Sequence, residues 1–251
     1  MAELEVRNVT FSYDGENKIL NNVNLKLNDG ELVCLLGVSG GGKTTLFNII
    51  AGLLEPQQGQ VLLNGEDITG QSGKVSYMLQ KDMLLPYRTV EDNVALPLII
   101  KGMKKKEARQ KVGGYFEEFG IEGTQKRYPV ELSGGMKQRA ALLRTYLFSA
   151  QVALLDEPFS ALDTLTKSEM HRWYLDVMDR IRLSTLFITH DVDEAILLSD
   201  RIYLLDGGGG LTDEIVITEP KPRRKEFVLS DEFLQYKRDI IAKIYAGKTD
   251  A

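Results

Sequence analysis

The 251-residue chain has one cysteine, two histidines and one tryptophan, and no apolar run approaches the roughly 18 residues a membrane-crossing helix needs. A single thiol excludes a disulfide framework and fits a reducing compartment. Cys34 sits inside the apolar run Leu32-Val33-Cys34-Leu35-Leu36, where a small buried hydrophobe is its simplest role. Excess positive charge is also missing: 31 Lys and Arg face 36 Asp and Glu, a net charge of −5, which argues against a nucleic-acid coat protein while leaving room for a local basic patch. Internal repeats and low-complexity stretches are not seen. Met1-Ala2-Glu3-Leu4-Glu5 lacks a basic segment followed by an apolar one, so a soluble, cytoplasmic chain is expected. At this length roughly 70–75% of the unfolded surface can be buried, and no metal or disulfide staple is required.

The stretch Gly37-Val38-Ser39-Gly40-Gly41-Gly42-Lys43-Thr44-Thr45 fits the pattern G-x-x-x-x-G-K-[ST]. An apolar run enters it, and Leu46, Ile49, Ile50 and Leu53 leave it at helical spacing, so the context is strand, loop, helix. Glycines let the backbone curl with its N–H groups inward, and the positive end of the helix lies behind them. Such a loop holds a nucleoside triphosphate, with Lys43 as a point charge on the β- and γ-phosphates and Thr44 offering a hydroxyl to magnesium.

Residues 4–11 alternate as a half-exposed strand, Tyr13 follows, and a second alternating run covers Val23–Leu27, together predicting an antiparallel β layer ahead of the nucleotide core. Tyr13 fits either simple packing or a ring stacked on adenine. Gln60–Gly65 and Lys74–Gln80 read as further strands, and Gln80 could reach an ion or cap a turn, the cap being simpler. Residues 81–131 predict a mostly helical insertion in which Lys104-Lys105-Lys106 is a solvated helix start. Ser133 is a suitable N-cap for the helix that follows, and Ser133-Gly134-Gly135 equally suits an anion. Val152–Leu155 reads as a buried parallel strand ending in the carboxylates Asp156-Glu157, where ligands of open α/β sheets sit. Two acids there need a positive neighbour, which a magnesium nucleotide at the Lys43 loop would supply. Leu186–Thr189 is a similar strand ending at His190, while His171, in a polar helical stretch, is expected at the surface. Gly207–Gly210 makes a turn before an edge strand over 211–218. The cluster Lys221-Pro222-Arg223-Arg224-Lys225 is read as solvated, and the last helix, over Asp231–Tyr245, has a docking face of Phe233, Ile240, Ile241 and Ile244.

Taken in order, the loop 37–45, Gln80, Leu132-Ser133-Gly134-Gly135-Met136-Lys137-Gln138-Arg139, Asp156-Glu157-Pro158, Ser160-Ala161-Leu162-Asp163 and His190 resemble the nucleotide-binding subunit of ATP-binding cassette (ABC) transporters over nearly the whole chain. Leu84-Leu85-Pro86-Tyr87, Met136 and Pro158–Asp163 look most like the nitrate, sulfonate and taurine importer branch. The resemblance implies an α/β fold: a P-loop core with an antiparallel β subdomain (1–80 and 132–225), a helical insertion (81–131) and a C-terminal helix (226–251). It implies that Tyr13 stacks on adenine, that residues 37–45 wrap the phosphates of ATP, that Thr44 and Gln80 bind Mg2+, and that Asp156 holds the ion's water. Glu157 would polarise the attacking water, His190 would contact the γ-phosphate, and Asp163 would face a second subunit. Ser133, Gly134, Gly135 and Gln138 would close on the ATP of that second subunit, most simply another copy of this chain. Transmembrane permease subunits, contacted through Met83, Leu84, Leu85 and Tyr87, and indirectly a solute-binding protein complete the implied assembly, with the chain peripheral on the inner face of the membrane and no nucleic acid involved.

The sequence departs from the family pattern at Gly41, where serine or cysteine is frequent, at Thr44 for serine, at Leu79 for phenylalanine, and at Ser149-Ala150-Gln151, where a proline is common. None removes a functional group. A P-loop GTPase or kinase shares only the first motif, since Asn17-Lys18-Ile19-Leu20 lacks the acid of a guanine reader and precedes the loop. A soluble cassette switch in translation or DNA repair usually carries two cassettes or a long coiled-coil insertion.

Overall fold

Alternating segments open the computed structural model, which describes residues 3–148, 151–221, 223 and 225–246, as antiparallel strands β1 (Leu4–Ser12) and β2 (Lys18–Leu27). β2 starts earlier than its alternation predicts because Leu20 pairs with Phe11 across the ladder. The unbroken apolar run becomes β3 (Leu32–Gly37), and α1 (Lys43–Ile50) follows the glycine loop. β4 (Gln58–Leu63) and the short β5 (Glu66–Asp67) return to the first layer, and β6 (Ser76–Met78) joins the main sheet. β6 is shorter than the predicted Lys74–Gln80 because only those three residues face a partner strand. The predicted helical stretch contains α2 (Val90–Val94), α3 (Leu96–Ile100), α4 (Lys105–Gly113) and α5 (Tyr115–Glu118). Then come α6 (Gly134–Phe148), β7 (Val152–Asp156), α7 (Thr164–Ile181), β8 (Ser184–Thr189), α8 (Val192–Leu198), β9 (Arg201–Leu205), β10 (Leu211–Val216) and α9 (Asp231–Ala246).

The main sheet runs β10-β9-β3-β8-β7-β6, parallel except for the edge strand β10, and the second sheet runs β2-β1-β4-β5. Strand side chains alternate between faces, so each central strand supplies two separate cores. Cys34, Leu36, Leu155, Phe187 and Leu204 pack with the helical insertion, α6, α7 and α9 on one side. Val33, Leu35, Leu154, Leu186 and Leu205 pack with α1 and the antiparallel layer on the other. The parallel sheet is thereby covered on both faces, and the carboxyl ends of β3, β6, β7 and β8 open toward the same side.

Three sequence expectations are corrected. His171 is buried, not superficial: α7 turns it inward, where its Nε2 lies 2.8 Å from Glu194 Oε1 and its ring packs edge-on to Phe159. The basic cluster is not simply solvated, because Lys221 pairs with Asp200 at 2.8 Å and Arg223 donates to the carbonyls of Leu197 and Ser199 at 2.7 Å. Leu84 is core, 7% exposed, so it is withdrawn from the surface offered to a permease. Lys104–Lys106 are exposed as expected. Of α9's expected docking face, Phe233 and Ile240 are buried. Ser149, Ala150, Pro222 and Arg224 lie outside the described residues.

Candidate nucleotide site

Steric necessity explains the glycines of the phosphate loop. A Cβ on Gly37 would lie 2.3 Å from the Leu205 carbonyl oxygen, since β3 hands over to the loop against β9. Gly42, the residue before α1, has φ +93°, and a Cβ there would approach the Ile19 carbonyl to 2.8 Å. The loop folds back on itself: the Lys43 ammonium donates to the carbonyls of Gly37 at 3.0 Å and Val38 at 2.7 Å. Burial lowers the Lys43 pKa, and the charges of Glu157 and Asp156 oppose that shift. An ammonium held only by two carbonyls has charge to spare for phosphate, and Val38, Ser39, Gly40 and Gly41 complete the concavity between β3 and α1.

The carboxyl ends of four strands bring the remaining residues together. Thr44 Oγ1, at the start of α1, donates to Asp156 Oδ2 at 3.1 Å, and the Tyr77 hydroxyl reaches the same oxygen at 3.4 Å. Burial pushes the Asp156 pKa up; the Thr44 hydrogen bond opposes this and the neighbouring Glu157 charge adds to it. The Thr44 hydroxyl and the buried Asp156 carboxylate are hard-oxygen donors of the kind magnesium takes, and the amide oxygen of Gln80, whose nitrogen is committed to Glu157, is the candidate third. Among the described residues no group of three or more His, Cys, Asp or Glu is arranged around a metal.

Glu157 lies one residue past β7 with φ +47°, a left-handed conformation costly for a side-chain-bearing residue and held by its N–H donating to the Ile188 carbonyl at 3.0 Å. Its carboxylate is gripped from two sides. Gln80 Nε2 donates to Oε2 at 3.0 Å, and His190 Nδ1 lies 3.2 Å from Oε1. Gln80, following β6, and His190, following β8, flank β7 in the sheet order, which is why one acid meets both.

Tyr13 stands 64% exposed, edge-on to Phe11 with centroids 4.8 Å apart, and its hydroxyl lies 3.2 Å from Thr45 Oγ1 at the first turn of α1. That leaves one ring face beside the loop free for a base. Ser133 accepts from the Met136 N–H at 3.3 Å and caps α6, as expected. Ser133 and Gly134 are exposed, as is Asp163, whose carboxylate caps α7 by accepting from Leu165 and Thr166. The two helix starts adjoin: a Cβ on Gly134 would meet Leu162, the residue before Asp163, at 3.3 Å. Gln138, by contrast, is 5% exposed, lines a small cavity with Met78, Phe159 and Met170, and its Oε1 has no hydrogen-bond partner among the described residues. Tyr77 was not foreseen; as an alternating residue in a short strand it carries no local sign that its hydroxyl meets Asp156.

Glycine loop, lysine, Thr44–Asp156 pair and a strand-end glutamate together define a P-loop nucleoside triphosphatase on an open α/β sheet. The ABC transporter profile matches residues 20–160. The chain is 42% identical over 201 residues to the formylaminopyrimidine import ATP-binding protein ThiZ of Halalkalibacterium halodurans, spanning 80% of this chain and 78% of that one. It is 36% identical over 244 residues to the aliphatic sulfonates import ATP-binding protein SsuB of Bacillus cereus, spanning 97% and 95%. A dimeric, post-hydrolysis ATP-binding cassette bound to ADP and Pi superposes with a TM-score of 0.71 at 28% identity, covering 85% of this chain and 98% of that one. The chain belongs to the ABC transporter family, as an ATPase on its importer branch.

Proposed function

We propose that the chain is the ATP-hydrolysing subunit of a membrane importer, that two copies sandwich two ATP molecules, and that closing and opening of the pair drives transport. The observation that carries this is the double grip on Glu157 by Gln80 and His190 beside the Thr44–Asp156 pair, a carboxylate aimed where the γ-phosphate of a loop-bound nucleotide would end. Glu157 polarises the attacking water, and His190 and Gln80 hold its oxygens so that the lone pair points along the line of attack. Lys43 exchanges its two backbone carbonyls for phosphate oxygens. Thr44 and Gln80, with Asp156 on its water, would hold a magnesium ion, which would supply positive charge against the negative charge that spreads over the phosphates. Phosphoryl transfer asks for alignment and fixed donors more than for unusual side chains.

Ser133, Gly134 and Asp163 are exposed at two neighbouring helix starts, with Gly135 packed just behind them against α7, which supports their use on the nucleotide of the opposing chain. Mixing two inactive chains tests it. A Lys43→Ala chain and a Ser133→Arg chain, each inactive alone, should regain activity together, because one composite site keeps Lys43 from one copy and Ser133 from the other. No activity from the mixture would refute the shared site.

The permease is proposed to dock in an apolar groove formed by Ala51, Leu53, Met83, Pro97 and Ile100, of which Leu53, Met83 and Ile100 are exposed. Arg144 donates to the carbonyls of Asp82 and Met83, fixing this groove to the segment that leaves Gln80. Attachment through such partners, on the cytoplasmic face, is part of the same reading, supported by the likeness to import ATP-binding proteins; among the described residues no helix is long and apolar enough to cross a membrane. The solute is proposed to be a small anion of the sulfonate or nitrate class, supported by the likeness to SsuB over 97% of the chain; the likeness to ThiZ favours a formylaminopyrimidine as the second reading. Identification of the co-purifying solute-binding protein, followed by binding assays with both solutes, separates the two.

A further inference from the structure

Behind His190 lies a buried ionic cluster that the reaction as described does not use. Lys167 and His171 stand four residues apart on α7 and therefore share one face. That face meets the start of α8. Lys167 Nζ lies 2.7 Å from Asp191 Oδ2 and 3.3 Å from Glu194 Oε1, and His171 Nε2 lies 2.8 Å from the same Glu194 oxygen. Glu194 is 2% exposed, so both its partners matter to a carboxylate that water does not reach. Asp191, next to His190, is held at three points: its N–H donates to Thr189 Oγ1 at 3.1 Å, its Oδ1 caps α8, and its Oδ2 takes the Lys167 ammonium. His190 itself is exposed and, among the described residues, its side chain meets only Glu157, so its backbone placement depends on this anchored neighbour.

The other end of α7 faces the rim proposed for the opposing chain. Its N-cap is Asp163, and a Cβ on Gly135 of α6 would meet Thr166 of α7 at 3.4 Å. His171 also packs on Phe159, two residues after Glu157, with ring centroids 5.0 Å apart. One helix thus touches the partner-facing rim at its first turn, and both strand ends that carry Glu157 and His190 one and two turns later. We infer that Lys167 and His171, acting through Asp191 and Glu194, are positioning residues that tie His190 to α7, so that seating of the opposing chain on Asp163 and Ser133 sets the His190–Glu157 contact. The inference rests on the proposed roles of Glu157, His190 and the shared site.

Steady-state kinetics on the full chain, with four variants and two controls, test it. Lys167→Met should lower kcat about ten- to a hundredfold, as expected for a catalytic group displaced by a fraction of an ångström, while the KM for ATP stays within about twofold. Lys167→Arg should restore most of kcat. His171→Gln, whose amide can still donate to Glu194, should stay near wild type, and His171→Leu should fall in the direction of Lys167→Met. A merely structural role would instead make KM, kcat and melting temperature deteriorate together. Wild-type kcat in Lys167→Met, failure of Lys167→Arg to rescue, or a parallel rise in KM would overturn the inference. The controls His190→Ala and Glu157→Gln separate the two levels: if they turn over normally the proposed site fails, and if they are inactive while Lys167→Met is normal only the positioning role fails.

Discussion

At the residue scale, the site is an arrangement of a few groups whose neighbours fix their chemistry. Glu157 carries the most, because its left-handed backbone, its N–H on Ile188 and its two side-chain contacts leave it one orientation. Glu157→Gln keeps the shape and the hydrogen bond from Gln80 but removes the charge that polarises water. It is expected to bind ATP as wild type, to lose turnover by about a hundredfold or more, and to accumulate an ATP-dependent dimer. Undiminished phosphate release would dismiss Glu157 as the base. The residues read from motifs, Lys43, Thr44, Gln80, Asp156, Glu157 and His190, are found within one strand-end cluster because their types and order carry the information. His171 departs from its expected surface position, and Gln138 is enclosed, for a common reason: the side of a helix that is covered depends on which other elements pack there, and no local spacing states it.

At the element scale, the helical insertion is joined internally by charge as well as by apolar packing. Arg109 of α4 donates to both oxygens of Asp92 in α2, at 2.7 and 2.8 Å, and Lys105 adds a contact at 3.0 Å. The Arg109 hydrogen bonds, against the cost of burial and with help from Lys105, hold the Asp92 pKa at about 2 from an ordinary 3.8. A carboxyl depressed in the folded state stabilises above its unfolded pKa, and that contribution is lost as pH falls through about 4 toward 2. Arg109→Met is therefore expected to lower stability at neutral pH by about 1–2 kcal/mol, allowing for solvent screening of the half-exposed arginine, and to flatten the acid limb of the curve. Denaturant titrations at pH 7 and pH 3 check both; equal losses at the two pH values would contradict the assignment. The helical character of residues 81–131 was legible from periodicity, while the division into four short helices follows from contacts with α6 and from turns at Ala95 and Gly114.

At the scale of the whole molecule, two cores on opposite faces of one sheet hold the loop between β3 and α1 in fixed relation to the strand ends. The apolar groove is tied to this chemistry through Tyr77, which lines it and whose hydroxyl meets Asp156, and through Arg144 and the segment after Gln80. Ile100, 70% exposed on the groove wall, separates docking from hydrolysis. Ile100→Glu should abolish co-purification of the membrane partner and transport in cells, while the isolated subunit keeps its basal ATPase rate and melting temperature. Retained co-purification would place the docking surface elsewhere.

The sequence by itself determined the class: the phosphate loop, the paired acids after an apolar run and the serine-glycine helix start each combine residue types whose chemistry is local and whose order along the chain is diagnostic. It also pointed to the parallel sheet, since short runs apolar on every residue, ending in polar residues, suit strands covered on both faces. Only the tertiary structure decided that Tyr77 reaches Asp156, that Gln138 is enclosed, and that Lys167 and His171 meet Asp191 and Glu194. Those contacts join elements distant in sequence, and they arise from how helices settle on the sheet, a property of packing shared by the whole chain and recorded at no single position.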